Sequence, residues 1–285
     1  MPDTMWVDAL ALGVLGLVIG SFLNVVIFRL PKMMDRQWKQ ECAELSGAPM
    51  TEEPVFNLMV PRSRCPHCNH QIRWYENVPV LSYAVLGGKC SSCKTPISLR
   101  YPSVELATGV FFGLVGWRYG LSVSGACWAA FVAGLLALFW IDFDTQLLPD
   151  DITYPFLWLG LIASAIGVIA VPLKSAVLGA TFGYLALWVV YHVHHFVTGK
   201  EGFGYGDFKL LAGLGAWFGH EHLIPIILMS SIVGALVGGL LLLVGKLANK
   251  DVHIPYGPFL AGAGLVLLAC GPQQVRNWLP FAYAL

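Results

Sequence analysis

Asp142 and Asp207 are the residues of this chain whose type and placement point most directly to chemistry. Asp207 closes the run Gly202-Phe-Gly-Tyr-Gly-Asp207 at the mouth of an apolar stretch, and Asp142 ends another, Phe131 to Ile141. A carboxylate at the edge of hydrocarbon is costly, so one that is kept there implies a task and a partner. The glycines before Asp207 permit a sharp turn and close approach by a second segment. Two carboxylates held together cannot both ionise comfortably; they share a proton and titrate as a pair. The ionised member can take a proton from a water attacking a peptide carbonyl, while the protonated member polarises that carbonyl and then serves the leaving amine. That is aspartyl endopeptidase chemistry, and it needs no metal, covalent intermediate or nucleophilic Ser or Cys. The segment after Asp142 is acidic in any case, with Asp144, Asp150 and Asp151, and Asp151 before Ile152 reads as an ordinary helix N-cap. Asp142 alone is as readily structural as functional; its pairing with Asp207 favours function.

A second constellation is Cys65-Pro-His-Cys68 and Cys90-Ser-Ser-Cys93, two C-x2-C pairs separated by 21 residues. This is close to the spacing of a zinc ribbon with four thiolates. Four thiolates leave no open coordination position, so Zn²⁺ bound here is structural. Disulfides are the alternative, disfavoured if the segment faces a reducing cytoplasm. His67 and His70 are spare candidates, unnecessary beside two complete pairs, while Cys42, Cys127 and Cys270 read as free thiols.

The elements that must position these groups are apolar. Of the 285 residues, 56% are hydrophobic and 12% charged, and the mean hydropathy of +0.67 is far from that of a soluble domain. Net charge is zero, which implies no nucleic-acid partner. Apolar stretches approaching the length that crosses hydrocarbon lie near 7–28, 103–117, 124–141, 152–171, 175–197, 210–218, 223–244 and 256–270. The fold class is therefore all-α and polytopic: about eight transmembrane helices and a small cytoplasmic zinc-ribbon-like module. The sixth stretch is short and Gly-rich and has the character of a re-entrant or broken segment. The first lacks a basic n-region and a small-residue cleavage site, so it reads as an anchor rather than a signal peptide. With the N-terminus outside, the inside segments 29–102, 142–151, 198–209 and 245–255 hold 14 of the 17 Lys and Arg; only Arg118, Lys174 and Arg276 fall outside. The excess of basic residues on cytoplasmic loops favours that orientation, and it brings both aspartates to the cytoplasmic face. Three regions follow: a first transmembrane helix, 1–29; a cytoplasmic domain with the Cys site, 30–102; and a transmembrane peptidase core, 103–285. Residues 34–48 read as a cytoplasmic helix and 49–61, with three prolines, as a loop. Asn24 in the first span and Glu105 in the second read as groups bonding to a neighbouring helix. The histidines of Tyr191-His-Val-His-His195 read as interfacial.

Six segments together resemble the bacterial type IV prepilin peptidase family, a group of intramembrane aspartyl proteases of the GxGD type. They are Gly20-Ser-Phe-Leu-Asn-Val-Val-Ile-Phe-Arg-Leu-Pro31, Cys65-x-x-Cys68, Gly88-Lys-Cys-Ser-Ser-Cys93, Arg100-Tyr-Pro-Ser-Val-Glu-Leu106, Ile141-Asp-Phe-Asp-Thr-Gln-Leu-Leu-Pro-Asp150 and Gly202-Phe-Gly-Tyr-Gly-Asp-Phe-Lys209. The resemblance covers most of the chain in the family's order. It implies that Asp142 and Asp207 are catalytic and that the thiolates at 65, 68, 90 and 93 bind zinc. It further implies a bacterial inner-membrane enzyme, N-terminus periplasmic, that cleaves the leader of prepilins and pseudopilins of type IV pili and type II secretion at the cytoplasmic face. A second activity is implied as well, N-methylation of the new N-terminal residue by S-adenosylmethionine. No methyl-donor motif is legible, so no donor-binding residue is assigned; the region around Gly88 and Lys89 is the nearest suspicion. The alternatives are a peptidase without methyl transfer, a proton-coupled transporter using the aspartates as a relay, or a non-catalytic assembly scaffold. A relay more naturally places its carboxylates near the bilayer midplane in repeated halves.

Overall fold

The computed structural model describes residues 2–47, 54–199, 204–244 and 254–283. Among them the chain is helical, with no strand and only two isolated antiparallel bridges. It divides into two compact units, Met1–Gly125 and Ala126–Leu285. Pro49, Gly202 and Phe203, which the sequence places in a loop and in the glycine run, lie outside the described residues.

The first unit is built on an antiparallel pair, α1 (Pro2–Ser46) and α3 (Arg100–Tyr119), with the short α2 (Leu81–Val85) between them in sequence. The pair closes on small residues: a Cβ on Gly20 would lie 2.7 Å from the Glu105 Cα, and one on Gly116 would lie 2.5 Å from the Asp8 carbonyl. Small-residue seams let membrane helices approach backbone to backbone. Asn24 Nδ2 donates to the Tyr101 carbonyl at 3.0 Å across this seam. The expected separate cytoplasmic helix over 34–48 is not separate. It continues α1 without a break through Pro31. The proline removes one intrahelical bond. Just before it, the Arg29 guanidinium ties the helix to the Asn57 and Pro61 carbonyls, at 2.8 and 2.6 Å.

The second unit contains α4 (Val123–Thr145), whose first turn belongs to the first unit, then α5 (Asp150–Ala165), α6 (Leu173–Thr198), α7 (Tyr205–Phe218), α8 (Leu223–Leu243), α9 (Gly257–Cys270) and α10 (Pro272–Trp278). Its centre is α7, buried from Asp207 to Phe218 except at Lys209, and packed by α5, α6 and α9. A helix apolar all round belongs in a core. Trp217 donates its indole N–H to the Phe156 carbonyl at 2.9 Å, inside a cluster with Trp128, Phe131 and Phe218. Gly183 of α6 faces the α7 backbone, where a Cβ would lie 2.7 Å from the Leu211 carbonyl.

Each of the eight apolar stretches lies on a helix, although α5 ends at Ala165, short of the expected 171. Among the described residues, four helices are long and apolar enough to cross a membrane: Met5–Ser46, Val123–Thr145, Leu173–Thr198 and His220–Leu243. A fifth span is possible if α9 and α10, bent by 108°, form one unit.

Candidate active site

Asp142 lies in the last turn of α4, and Asp207 in the first turn of α7, whose N-cap is Gly204. Both are buried, at 4% and 7% exposure. Although 65 positions apart in the chain, the two carboxyls interact electrostatically. Neither is neutralised by an ion pair, and Asp142 Oδ2 and Asp207 Oδ1 have no hydrogen-bond partner among the described residues. Buried carboxyl oxygens without partners are rare, because desolvation costs more than most folds recover. Here two converge.

The local fold explains how. Between α4 and α5, Gln146 adopts a left-handed conformation (φ +56°), and Leu148 turns inward. Leu148 packs against Gly206, where a Cβ would come within 2.6 Å of its own Cβ, and against Gly257, where a Cβ would lie 3.3 Å from its Cδ1. Gly257 in turn abuts the Asp142 carboxyl: a Cβ there would stand 2.5 Å from Oδ2, and its amide faces the same group. One leucine thus spaces the segments carrying both acids. Lys209, one step beyond Phe208, reaches the first turn of α5 and holds Asp150 with both carboxylate oxygens, at 2.6 and 2.8 Å. Asp144 is exposed. Asp151 is not an N-cap; α5 starts one residue earlier, so Asp150 and Asp151 both sit in its first turn, where they favour the helix dipole.

Gly257 and the Lys209–Asp150 pair had no part in the sequence reading. The signal for Gly257 is present in Pro255-Tyr-Gly-Pro258, turn chemistry opening the last apolar stretch. Tyr256 of that turn bonds Ser230 of α8 at 2.7 Å, fixing the start of α9.

In the first unit the four thiols at 65, 68, 90 and 93 converge, their Sγ atoms all within 4.8 Å of one another. Cys65–Cys93 and Cys68–Cys90 stand at 3.7 and 3.9 Å, and all seven cysteines are free, so disulfides are not formed. Tetrahedral zinc with bonds of about 2.3 Å separates its sulfurs by about 3.8 Å, so the cradle fits this ion. The two knuckles match residue for residue. In each, the residue before the first Cys bridges the residue six after it, Arg64 with Gln71 and Lys89 with Pro96. In each, the fourth residue after it, Asn69 or Lys94, takes a left-handed φ of +57° or +60°. The amides of Cys68 and His67 hold the Cys65 thiol below its ordinary range and the Thr95 hydroxyl brings Cys93 down to about 6, whereas, against the His70 amide, burial and the neighbouring thiols push Cys68 up to about 11. Glu76, hydrogen-bonded by the Arg73 amide and held down to about 2, braces His70 at 3.2 Å. Glu105 accepts a bond from the Val80 amide at 2.8 Å.

Residues 14–119 match the model of the bacterial peptidase A24 N-terminal domain, and 129–239 that of the type IV leader peptidase family. A protein of Pseudomonas aeruginosa named prepilin leader peptidase/N-methyltransferase is 52% identical over 269 residues, covering 94% of this chain and 92% of the relative. Relatives of the same name from Stutzerimonas stutzeri and Neisseria gonorrhoeae are 53% and 47% identical, over 94% and 93% of this chain and 93% and 92% of their own. No solved structure matches the chain. At this identity over nearly the full length, the chain belongs to the type IV leader peptidase family, and it is an enzyme.

Proposed function

We propose that this protein is an intramembrane aspartyl endopeptidase that removes the leader of prepilins and pseudopilins, with Asp142 and Asp207 as its catalytic pair. The observation that carries the reading is the convergence of two buried carboxyls, each with an oxygen lacking a partner among the described residues, at the ends of α4 and α7. Charge left unpaired inside a fold is retained for work. The pair holds one proton. The ionised carboxylate takes a proton from water as that water's oxygen bonds to the scissile carbonyl carbon; the protonated partner donates to the carbonyl oxygen. As the tetrahedral adduct collapses, the C–N bond breaks and the amine leaves with a proton from the pair. Exclusion of bulk water by the surrounding α7, α9 and Leu148 strengthens each of these interactions.

The same reading places eight spans in the bacterial inner membrane, N-terminus out, with the aspartates at the cytoplasmic face, which the distribution of Lys and Arg supports. Residues 30–102 form a cytoplasmic domain in which Cys65, Cys68, Cys90 and Cys93 hold a structural Zn²⁺, and 103–285 form the peptidase core. The relatives' name supports methylation of the exposed N-terminus; S-adenosylmethionine supplies an electrophilic methyl group for an unprotonated amine. None of this chain's residues is assigned to the donor.

The test is leader loss from a prepilin incubated with purified protein. Asp142→Asn and Asp207→Asn should each lower cleavage by on the order of 10²–10⁴-fold while the protein remains folded and inserted. Asp144→Asn, exposed and outside the pair, should stay within about threefold of wild type, as surface changes do. Full activity in either single Asp→Asn variant removes that residue from the mechanism.

A further inference from the structure

The domain carrying the cysteines has a surface unlike that of a freely solvated module. Between residues 54 and 99 there are five cationic side chains, Arg62, Arg64, Arg73, Lys89 and Lys94, and one carboxylate, Glu76. All five cations are exposed, whereas Glu76 is engaged by the Arg73 amide and His70. Among the cations stand apolar groups in the open: Trp74 at 83% exposure, Leu81 at 65% and Val85 at 85%. Leu81 and Val85 are four apart on α2 and share a face.

What covers that face follows from depth. In the antiparallel seam of α1 and α3, Tyr101 is level with Asn24 and Glu105 with Gly20. Arg29 is the first charge after the apolar run of α1, so Gly20 lies about 13 Å inside it at 1.5 Å per residue. The Val80 amide is bonded to the Glu105 carboxylate at 2.8 Å, and Leu81 opens α2 at the next residue. A glutamate side chain leans toward the N-terminus of its helix, here toward Arg100, so α2 sits roughly one to two turns inside the Arg29 level, about 5–10 Å. Val80 keeps φ +61°, an outlier for a β-branched residue, and the Glu105 bond fixes it there. The apolar face of α2 is thereby pinned at the depth where interfacial helices meet acyl chains.

We propose that the cysteine module is seated in the bilayer surface: Leu81 and Val85 of α2 enter the boundary between headgroups and acyl chains, Trp74 lies at headgroup level, and the flanking cations bind the phosphates of anionic lipids. Aromatic residues and clustered Lys and Arg are the usual occupants of these two levels. The inference rests on α1 crossing a bilayer and is independent of the peptidase chemistry.

The test uses the full chain in vesicles, either phosphatidylglycerol-rich or of phosphatidylcholine alone, with p-benzoylphenylalanine replacing Val14, Val85 or Ser92 in separate proteins. After irradiation, intact mass reports covalent lipid. Val14 on the exposed flank of α1 controls for the span, and Ser92 on the second knuckle for the solvated side. Lipid adducts at 14 and 85 but not at 92, with at least twofold more at 85 in phosphatidylglycerol, are expected. An adduct at 14 without one at 85 overturns the anchor while leaving the span intact. Absence at 14 removes the span on which it rests. Crosslinks from 85 to this chain or to a bound peptide assign the face to protein instead, and equal yields in the two lipids overturn the role of the cations.

Discussion

Gly257 makes its contribution by having no side chain. It abuts the Asp142 carboxyl with no room for a Cβ, and Leu148 closes the other side. Gly257→Ala must displace either the carboxyl or the first turn of α9. Displacements of about 1 Å at a reacting group can cost on the order of 10²-fold in rate, so this variant should lose roughly 10- to 100-fold in kcat for prepilin cleavage. Its thermal unfolding should shift far less, and KM should stay within about threefold, since uniform binding is untouched. A large loss of stability with normal kcat per folded molecule contradicts this account. Asp207 was legible in sequence because a carboxylate ringed by glycines conflicts with its apolar surroundings. The turn around Gly257 left a sequence signal, but its contact with Asp142 did not, because that residue lies on a distant helix and no spacing rule links them.

Among elements, α7 and the cysteine module show opposite degrees of legibility. The Gly-rich stretch near 210–218 looks like a broken or re-entrant segment, because a single sequence cannot reveal that its glycines face Gly179 and Phe156 of packed neighbours. The structure makes it an unbroken core helix of 14 residues, shorter than a full span, so only the break is overturned. For the cysteines, spacing alone named the four groups that converge, since ligand geometry imposes its own periodicity. The continuity of α1 through Pro31 ran against the usual weight given to a proline and was missed. The purified, reduced protein should carry about one Zn²⁺ per chain, the stoichiometry of a single four-thiolate site. Chelation, or Cys65→Ser or Cys90→Ser, should expose residues 54–99 to protease while α4 to α9 stay protected, because metal binding and folding are coupled in small metal domains. Metal analysis finding no zinc ends the assignment.

At the scale of the whole molecule, peptide cleavage and methyl transfer make separate demands. Methyl transfer needs a neutral amine and a positioned donor, neither of which calls for a carboxyl pair. Asp207→Asn should therefore still transfer labelled methyl from S-adenosylmethionine to a peptide supplied already cleaved, with a free N-terminal Phe. If wild type transfers and the variant does not, the two sites overlap. If wild type transfers none while cleaving prepilin, the chain is a peptidase alone. Lys and Arg counts make an N-out orientation, with both aspartates at one face, the expectation readable from the sequence. The division into units meeting at residue 125 was not readable, because α4 runs through it without a change in composition.

Three helices of the second unit, α7 with Asp207 among them, are short. α5 has 16 residues, and α7 and α9 have 14 each, against 23, 26 and 21 for α4, α6 and α8. At 1.5 Å per residue, α7 spans about 21 Å. Beyond its far end come His220, bonded to Ser175 at 2.9 Å, and Glu221, paired with Arg276 at 3.9 Å. Hydrocarbon is about 30 Å thick, so a core helix of this length leaves a hydrophobic mismatch between the polar groups at its two ends and the thickness of the bilayer. If the aspartates act as proposed, local thinning of the lipid to match this helix would lower the cost for the start of a substrate helix to leave the acyl chains. Cleavage by protein reconstituted in phosphatidylcholines of 14 to about 20 acyl carbons should accordingly peak toward the thinner bilayers, in step with this mismatch. A rate independent of chain length means that tilting of the longer helices absorbs the difference.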